Sequence, residues 1–237
     1  MRPIEGWAVR DKRGIFYYVL GVEQPREALW VYPKYVPSDR GDRIILGKGY
    51  RKLKSYSESM RWALEKIPEH VKMFNNRLLL VSLPWNMMLE MYSPKRRLFE
   101  VIERGAVYKI EEAAASLAMA ISSISGVYVE LFGISGSLLI GALGRDSDIN
   151  VVCYPRPDEV ERIYFAVARL RSMGVTRPIP DKYLEAEYRA TPKKERGPWR
   201  VFRGVEVRKL LRGVFHGFKY TVKICLLYTS PSPRDRG

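Results

Sequence analysis

The sequence is poor in the residues that many enzyme sites require. It has two histidines, His70 and His216, two cysteines and one glutamine, Gln24. So few histidines and cysteines give no support to a zinc cluster or a Ser-His-Asp triad. The G-x4-G-K-[ST] phosphate loop, a dinucleotide-binding glycine fingerprint after a strand, internal repeats and low-complexity tracts are absent as well. The scarcity of glutamine beside abundant Lys, Arg, Glu and Tyr is typical of a thermophilic protein.

Long apolar runs are also scarce, which argues against contact with a membrane. Arg2, Glu5 and Arg10 interrupt any secretory signal at the start of the chain. Between residues 113 and 144 the only charged residue is Glu130. Frequent Gly and Ser and this acid in mid-run favour a buried helix followed by a strand over a membrane span. We therefore expect a cytoplasmic protein with no membrane association.

The segment 225–237 has an unusual origin. Its residues CLLYTSPSPRD are the translation of a transposase adapter used in preparing sequencing libraries, so we interpret the segment as an artefact. We expect the natural chain to continue beyond Ile224. Without this segment Cys153 is the only natural cysteine, which excludes an intrachain disulfide. Its apolar strand context favours a small buried residue over a nucleophile.

The rest of the chain is long enough for two modest domains. The 237 residues are 46% hydrophobic and carry a formal net charge of +15. Such a charge makes nucleotides or nucleic acid, RNA included, plausible partners. A shift in composition near Gly105 predicts a small α/β module in residues 1–105 and a second unit in residues 106–224. For the first module we predict strands over 15–21, 28–35, 43–46 and 78–83 and helices over 58–67 and 94–104.

Aromatic residues of the N-terminal module have two possible roles. Rows of tyrosine and tryptophan among lysines and arginines could stack on bases and bind phosphates. Strands are rich in aromatic residues in any case, so the same side chains could simply fill the core of a sheet, and we favour this second interpretation. The aromatic residues concerned are Tyr17, Tyr18, Trp30, Tyr32 and Tyr35.

The stretch 132–154, FGISGSLLIGALGRDSDINVVCY, carries the chemistry. Gly133 and Gly136 follow an apolar strand predicted over 127–132, where the chain needs close approach or positive φ. Ser137 would begin a short helix over 138–143 whose free N–H groups suit an anion. A strand then places Asp148 and Asn150 on one face. A phosphate-binding turn followed by a polar pair suggests phosphoryl or nucleotidyl transfer.

These residues resemble the signature of the DNA polymerase β-type nucleotidyltransferase superfamily, G-S-x3-G-x5-S-D-[IVL]-D. The resemblance implies that the glycine-serine turn binds a nucleoside triphosphate and that the two acids bind Mg²⁺. It therefore assigns Asp148 and Asn150 as metal-binding and catalytic residues, although asparagine stands where the family has its second acid. The nucleotide-binding positions that match the signature are Gly136, Ser137, Gly141 and Ser147.

The family also places a third acid on a later strand. Glu206, within a possible strand over 199–207, is the only candidate in this sequence, although an ordinary surface glutamate would fit the same pattern. The alternative is that the third acid belongs to the natural sequence expected beyond Ile224. Asp146 is interpreted as a solvated turn residue. Further helices are predicted over 110–124, from residue 157 to Gly174 and over 181–190, and a strand over 218–224. The order predicts an α+β fold with a polymerase-β-type core, in which helices pack on a mixed sheet.

Five segments carry a wider resemblance: 7–10, 32–37, 50–52, 93–105 and 130–154. Through them the chain as a whole resembles an archaeal family of predicted nucleotidyltransferases whose substrate is unassigned. Two functions remain open. The first is Mg²⁺-dependent transfer of a nucleoside monophosphate from an NTP to an unknown acceptor. The second is a catalytically inactive protein of the same fold that binds nucleotide or RNA. Asn150 is the reason for keeping both, because its amide brings no negative charge to a second metal ion.

Overall fold

The computed structural model describes residues 2–74, 76, 78–191 and 197–226. Within them the chain forms two sheets and six α-helices, which confirms the predicted α+β class. Eight antiparallel strands form the N-terminal sheet and four strands form the C-terminal sheet. The N-terminal strands are β1 (Ala8–Asp11), β2 (Phe16–Val19), β3 (Ala28–Pro37), β4 (Arg43–Ile45), β5 (Lys48–Lys52), β6 (Val71–Phe74), β7 (Leu78–Pro84) and β8 (Met88–Tyr92); the C-terminal strands are β9 (Phe132–Ile134), β10 (Ile149–Cys153), β11 (Arg212–Phe215) and β12 (Phe218–Ile224).

The helices begin and end close to where capping residues predict. In the second helix the hydroxyl of Ser93 accepts a hydrogen bond from the Arg96 amide, Pro94 is the first helical residue, and Gly105 ends the helix with φ of 83°. The third ends at Gly126, whose φ of 66° lies in the left-handed region that glycine tolerates. The six helices are α1 (Tyr56–Lys66), α2 (Pro94–Arg104), α3 (Lys109–Ser125), α4 (Val160–Ser172), α5 (Asp181–Ala190) and α6 (Trp199–Glu206).

The N-terminal sheet buries both of its faces. Alternating side chains such as Tyr17 and Val31 pack with Met60 of α1 on one face. On the other face Phe16 and Tyr35 pack against residues 139, 140 and 142, in the loop that follows the glycine-serine turn. The two sheets are therefore joined through the loop that carries the signature.

The C-terminal sheet has the order β11-β12-β10-β9, in which β10 is antiparallel to β9 and parallel to β12. Helices α3 and α4 share one core with this sheet, where Ala114 and Ala118 allow α3 to lie close to Val151. A parallel pair of strands needs a long crossover. Here the crossover between β10 and β12 contains α4, α5 and α6.

Helix α2 packs on the C-terminal sheet, although composition alone put it in the segment 1–105. Leu98 and Val101 lie in the same core as α3 and β9. The contact with β9 is close, because a Cβ atom on Gly133 would lie 2.6 Å from the Cβ atom of Pro94. Gly133 therefore serves close packing of backbone, and the division between the two cores falls before α2.

Three predictions of local structure were wrong. Residues Trp199–Glu206 form helix α6 instead of a strand, and Trp199 and Phe202, one helical turn apart, both pack on Tyr188 of α5. The helix predicted over 138–143 is only a 3-10 turn, Gly136–Leu138, followed by an irregular loop. The apolar residues of that loop contact the N-terminal sheet, so their pattern reflects tertiary packing. The predicted strand over 127–132 begins later, at Phe132.

Within the described residues, no helix combines the length and apolarity needed to cross a membrane. The segment interpreted as an adapter artefact falls largely outside the described residues, since only Cys225 and Leu226 of it are described. Cys225 is buried beside Val152 and Tyr154, and its amide donates to the Cys153 carbonyl at 2.8 Å. Cys153 is also fully buried, and burial raises the pKa of its thiol to about 12. A thiol held in its protonated form is a poor nucleophile.

Candidate functional site

The glycine-serine turn lies directly against Asn150. Gly136 has φ of +66°, and a Cβ atom there would stand 2.7 Å from Asn150 Nδ2 and 3.3 Å from Asn150 Cβ. Only glycine combines this backbone conformation with such close approach. Gly141 has a similar φ of +68°, but nothing lies within 4 Å of its added Cβ. The structure therefore brings Gly136 and Asn150 together and leaves Gly141 on the surface.

A pair of serine hydroxyls closes the loop between the turn and β10. Ser137 Oγ donates to Ser147 Oγ at 3.1 Å, and the Gly144 amide donates to the same Ser147 oxygen at 2.9 Å. Ser137 is buried, so its hydroxyl is engaged within the protein. These contacts fix the loop and thereby place the next residue, Asp148, at the entrance of β10.

Asp148 and Asn150 are adjacent, as predicted from the alternation of the strand. Asn150 Nδ2 donates to Asp148 Oδ1 at 2.9 Å. Asp148 precedes β10 by one residue and is half-buried. Within the described part of the chain it forms no ion pair, since the basic groups nearby bind other acids. Its carboxylate therefore accepts a hydrogen bond from one amide, and Asp148 is not among the residues that line the neighbouring cavity.

Asp146 is an exposed turn residue, as predicted from the sequence, but its carboxylate also forms two ion pairs that the sequence did not indicate. It pairs with Arg43 of β4 and with Lys52 of β5, the latter at 3.1 Å. Burial alone would raise the pKa of Asp146, but Lys52 and Arg43 outweigh it and lower the pKa below its ordinary value. The Arg43 guanidinium also lies against Gly144, where an added Cβ would stand 2.6 Å from Nη1. The N-terminal sheet thus holds the loop that leads to Asp148.

A cavity of about 330 Å³ separates the glycine-serine turn from the N-terminal sheet. On its N-terminal side the Tyr18 hydroxyl is buried and makes no hydrogen bond of good geometry to the described residues, although the Tyr35 hydroxyl lies nearby. Burial, followed by Tyr35, Tyr32 and Asp148, raises the pKa of Tyr18 well above its ordinary value. The cavity is lined by Tyr18, Tyr32, Gly136, Asn150, Thr221 and Lys223, among others.

Lys34 is a partly buried lysine that the sequence interpretation did not single out. It lies on β3, and burial, followed by the charge of Lys52, lowers the pKa of its ammonium to about 8. Glu58, Asp148 and Asp146 act in the opposite direction. The local sequence YPKY does not indicate this environment. The environment is formed by residues that are distant in sequence, in the loop that packs against β3.

The lowered pKa of Lys34 makes a prediction about stability. Below about pH 8 the folded protein must keep a buried charge, while the unfolded chain binds its proton up to an ordinary pKa of 10.5. Stability therefore rises with pH between these two values, because the unfolded state then binds more protons. We expect Lys34→Met to raise the thermal midpoint at pH 7 and to have little effect near pH 10.5. A difference between the two proteins that stays constant from pH 7 to pH 10.5 would contradict this expectation.

Glu206 does not belong to this cleft, and its proposed place on a strand was wrong. It lies at the end of α6, is buried, and pairs with Lys209 at 2.6 Å and with Arg212. The strand that runs alongside β10 is β12, in which Thr221 lies opposite Asn150. Lys219, Thr221 and Lys223 are every second residue of β12, so their side chains lie on the same side of this strand. The neighbouring strand therefore presents a hydroxyl and two lysines, of which Lys223 pairs with Glu5 and Lys219 lies 3.9 Å from Glu187.

The residues present do not fit a pair of Mg²⁺ ions. Such a pair needs several carboxylates. Among the described residues that line the cavity the only acid is Glu5, which pairs with Lys223, and Asp148 lies outside this lining beside an amide that donates to it. Among the described residues no three His, Cys, Asp or Glu side chains are grouped so that they could hold a metal ion. Comparison of the chain with families of known proteins, with curated sequences and with solved structures gives no match.

Proposed function

We propose that this protein binds a nucleotide through its phosphates in the cleft between its two sheets, and that it does so without two-metal catalysis. The observation that carries this proposal is the composition of the wall formed by β10 and β12. Asn150, Thr221 and Lys223 line the cavity there, and the one acid among the described residues of the lining, Glu5, belongs to the N-terminal segment and pairs with Lys223. Amide, hydroxyl and ammonium groups donate hydrogen bonds, which suits an anion better than a metal ion.

Three features support a nucleotide as the ligand. The turn at Gly136 carries the sequence signature and lies on the wall of the cavity. The opposite wall presents Tyr18 and Tyr32, aromatic residues that can contact a base. The net charge of +15 attracts polyanions over a distance. RNA is an alternative ligand of the same chemistry, since its phosphates and bases would meet the same groups.

A second candidate is nucleotidyl transfer itself. The observation that favours it is the strand arrangement: the turn follows a strand antiparallel to β10, and β12 is parallel to β10. This arrangement agrees with the element order that the superfamily resemblance implies. Asp148 is also free of ion pairs with the described residues, as a metal ligand would need to be. The fold is thus compatible with transfer, while the side chains of the cleft favour binding alone.

One experiment separates the two candidates. ATP, GTP, CTP and UTP are titrated calorimetrically into the protein, first in EDTA and then with Mg²⁺, and pyrophosphate release is measured with and without RNA. We expect binding of at least one nucleotide in EDTA and no release of pyrophosphate above background. Asp148→Asn should keep or improve binding, because it removes a negative charge near the phosphates.

Asp158→Asn is the matched control, because Asp158 is an exposed acid in the turn before α4. Its binding and its background activity should equal those of the natural protein. Mg²⁺-dependent release of pyrophosphate that disappears in Asp148→Asn but persists in Asp158→Asn would establish transfer and overturn the proposal. Failure to bind any of the four nucleotides or RNA would overturn both candidates.

A further inference from the structure

The segment that precedes β1 forms part of the cavity between the two sheets. Glu5 and Gly6 belong to the cavity lining, together with residues of both sheets. The Tyr154 hydroxyl donates to the Glu5 carbonyl at 2.8 Å, and the Ser135 hydroxyl donates to the Gly6 carbonyl at 2.6 Å. The Glu5 amide donates to the Gly21 carbonyl at 2.8 Å. Backbone groups therefore hold this segment against both sheets, and none of these bonds uses the Glu5 carboxylate.

The carboxylate of Glu5 instead neutralises a cation of the cavity. One of its oxygens accepts a hydrogen bond from the Gly21 amide, and the other pairs with Lys223 Nζ. Lys223 lies on β12, opposite Val152 of β10, and it also lines the cavity. Among the described residues of the lining, Lys223 is the only lysine or arginine and Glu5 is the only acid. The ion pair therefore joins the one positive and the one negative charge that the described lining carries.

This ion pair lies where the phosphates of a nucleotide would bind. Thr221 is opposite Asn150 on the neighbouring strand and two residues before Lys223, and all three line the cavity. A phosphate that accepts hydrogen bonds from the amide and the hydroxyl would therefore meet the Lys223 ammonium and be repelled by Glu5. The Lys223 side chain is 53% exposed. An ion pair that is open to water contributes little to stability, so a more highly charged anion can replace its carboxylate.

We propose that Lys223 is the cation that binds the phosphates of the nucleotide, and that the Glu5 carboxylate competes with those phosphates for it. The inference rests on the proposed function and deepens it, because it adds the regulation of the same site. In the exchange the Lys223 ammonium leaves a carboxylate oxygen for a phosphate oxygen, and no covalent bond changes. Glu5 thereby lowers the affinity for every anion, and it selects ligands with enough negative charge to replace a carboxylate.

The first test measures the binding of ATP and inorganic triphosphate by calorimetry in EDTA, with adenosine as an uncharged probe. Glu5→Gln keeps the shape of the side chain and removes the competing charge. It should strengthen the binding of both phosphates about fivefold, the scale of an ion pair near the surface, and leave the affinity for adenosine unchanged. Glu23→Gln is the matched control, because it removes an exposed acid two residues from Gly21 and outside the described lining. It should bind like the natural protein.

The second test removes the cation. Lys223→Met should weaken the binding of ATP and triphosphate about 10- to 100-fold, the range for loss of a charge-assisted hydrogen bond. Lys219→Met removes a lysine from the same strand that does not belong to the described lining, and it should bind like the natural protein. In the Lys223→Met background, Glu5→Gln should change the affinity less than about twofold, because the carboxylate and the phosphates no longer share a cation.

Thermal unfolding separates competition from a structural role of the ion pair. Glu5→Gln loses the ion pair with Lys223 and keeps the backbone bonds of the segment. Its thermal midpoint should therefore equal or fall slightly below that of the natural protein, while its affinity for triphosphate rises. An ion pair that served only to shape the cavity would lower stability and affinity together.

Each outcome bears on one claim. If the natural protein binds ATP and Glu5→Gln binds it equally well or more weakly, the competition is wrong and the proposed function stands. An equal gain in affinity for adenosine would also overturn the competition, because it would show a wider cavity. If neither the natural protein nor Glu5→Gln binds ATP or triphosphate, the proposed function itself fails. Should Glu5→Gln fail to fold, an unchanged affinity in Lys223→Met would overturn the inference.

Discussion

Replacing Gly136 by alanine is expected to remove nucleotide binding and to destabilise the protein by about 2–3 kcal/mol. About 1–2 kcal/mol of this comes from placing a side chain at a φ of +66°. The remainder comes from displacing Asn150, because the new Cβ would lie 3.3 Å from the Cβ of that residue as well as 2.7 Å from its amide. The Asn150 amide must turn away from the new Cβ, and its own Cβ must give by a few tenths of an ångström, so the polar groups on this wall of the cavity are displaced. Urea unfolding and calorimetric titration of ATP measure the two effects.

Gly141→Ala is the matched control. Gly141 has nearly the same φ, +68°, but its added Cβ meets nothing within 4 Å. Its substitution should therefore cost only the backbone strain, about 1–2 kcal/mol, and leave the affinity for ATP within about twofold. Equal losses of stability and affinity in the two variants would show that contact with Asn150 has no part in the site.

Installing carboxylates at Asn150 and Thr221 is expected to create a divalent-metal site that the natural protein lacks. The two residues lie opposite each other on parallel strands, and Asp148 is already hydrogen-bonded to Asn150. Asn150→Asp with Thr221→Asp would therefore gather three carboxylates within one small volume. We expect the affinity for Mn²⁺, measured by calorimetry, to rise about 100-fold over that of the natural protein. Without metal the three negative charges should repel one another and lower the thermal midpoint.

Added Mn²⁺ should restore the thermal midpoint of the double variant, because binding raises its free energy of unfolding by about 2.7 kcal/mol when the Mn²⁺ concentration is 100 times the dissociation constant. Each single variant brings only two carboxylates together and serves as a control with a weaker effect. Release of pyrophosphate from ATP by the double variant would add support to the superfamily resemblance. Equal Mn²⁺ affinity in the natural protein and the double variant would mean that the natural residues already suffice, which would favour the second candidate function.

Much of the local structure could be read from neighbouring residues. Ser93, Pro94 and Gly105 mark both ends of α2, and the structure places the helix between them. The spacing of apolar residues locates α4, and a run of β-branched and aromatic residues locates β3. Capping and periodicity depend on residues within a few positions of one another, so the sequence alone carries this information. The same holds for Asp148 and Asn150, which share a side of the chain because they are two residues apart.

Only the tertiary structure determines which groups lie near Asp148 and Asn150. Asp146 pairs with Arg43, 103 residues earlier in the chain, and no local pattern marks that contact. The position of Thr221 beside Asn150 depends on a long crossover between parallel strands. The sequence by itself determined the turn and the polar pair, because both are encoded locally. Strand pairing brings together residues that lie far apart in the chain. It therefore decided whether carboxylates or hydrogen-bond donors surround the turn and the polar pair.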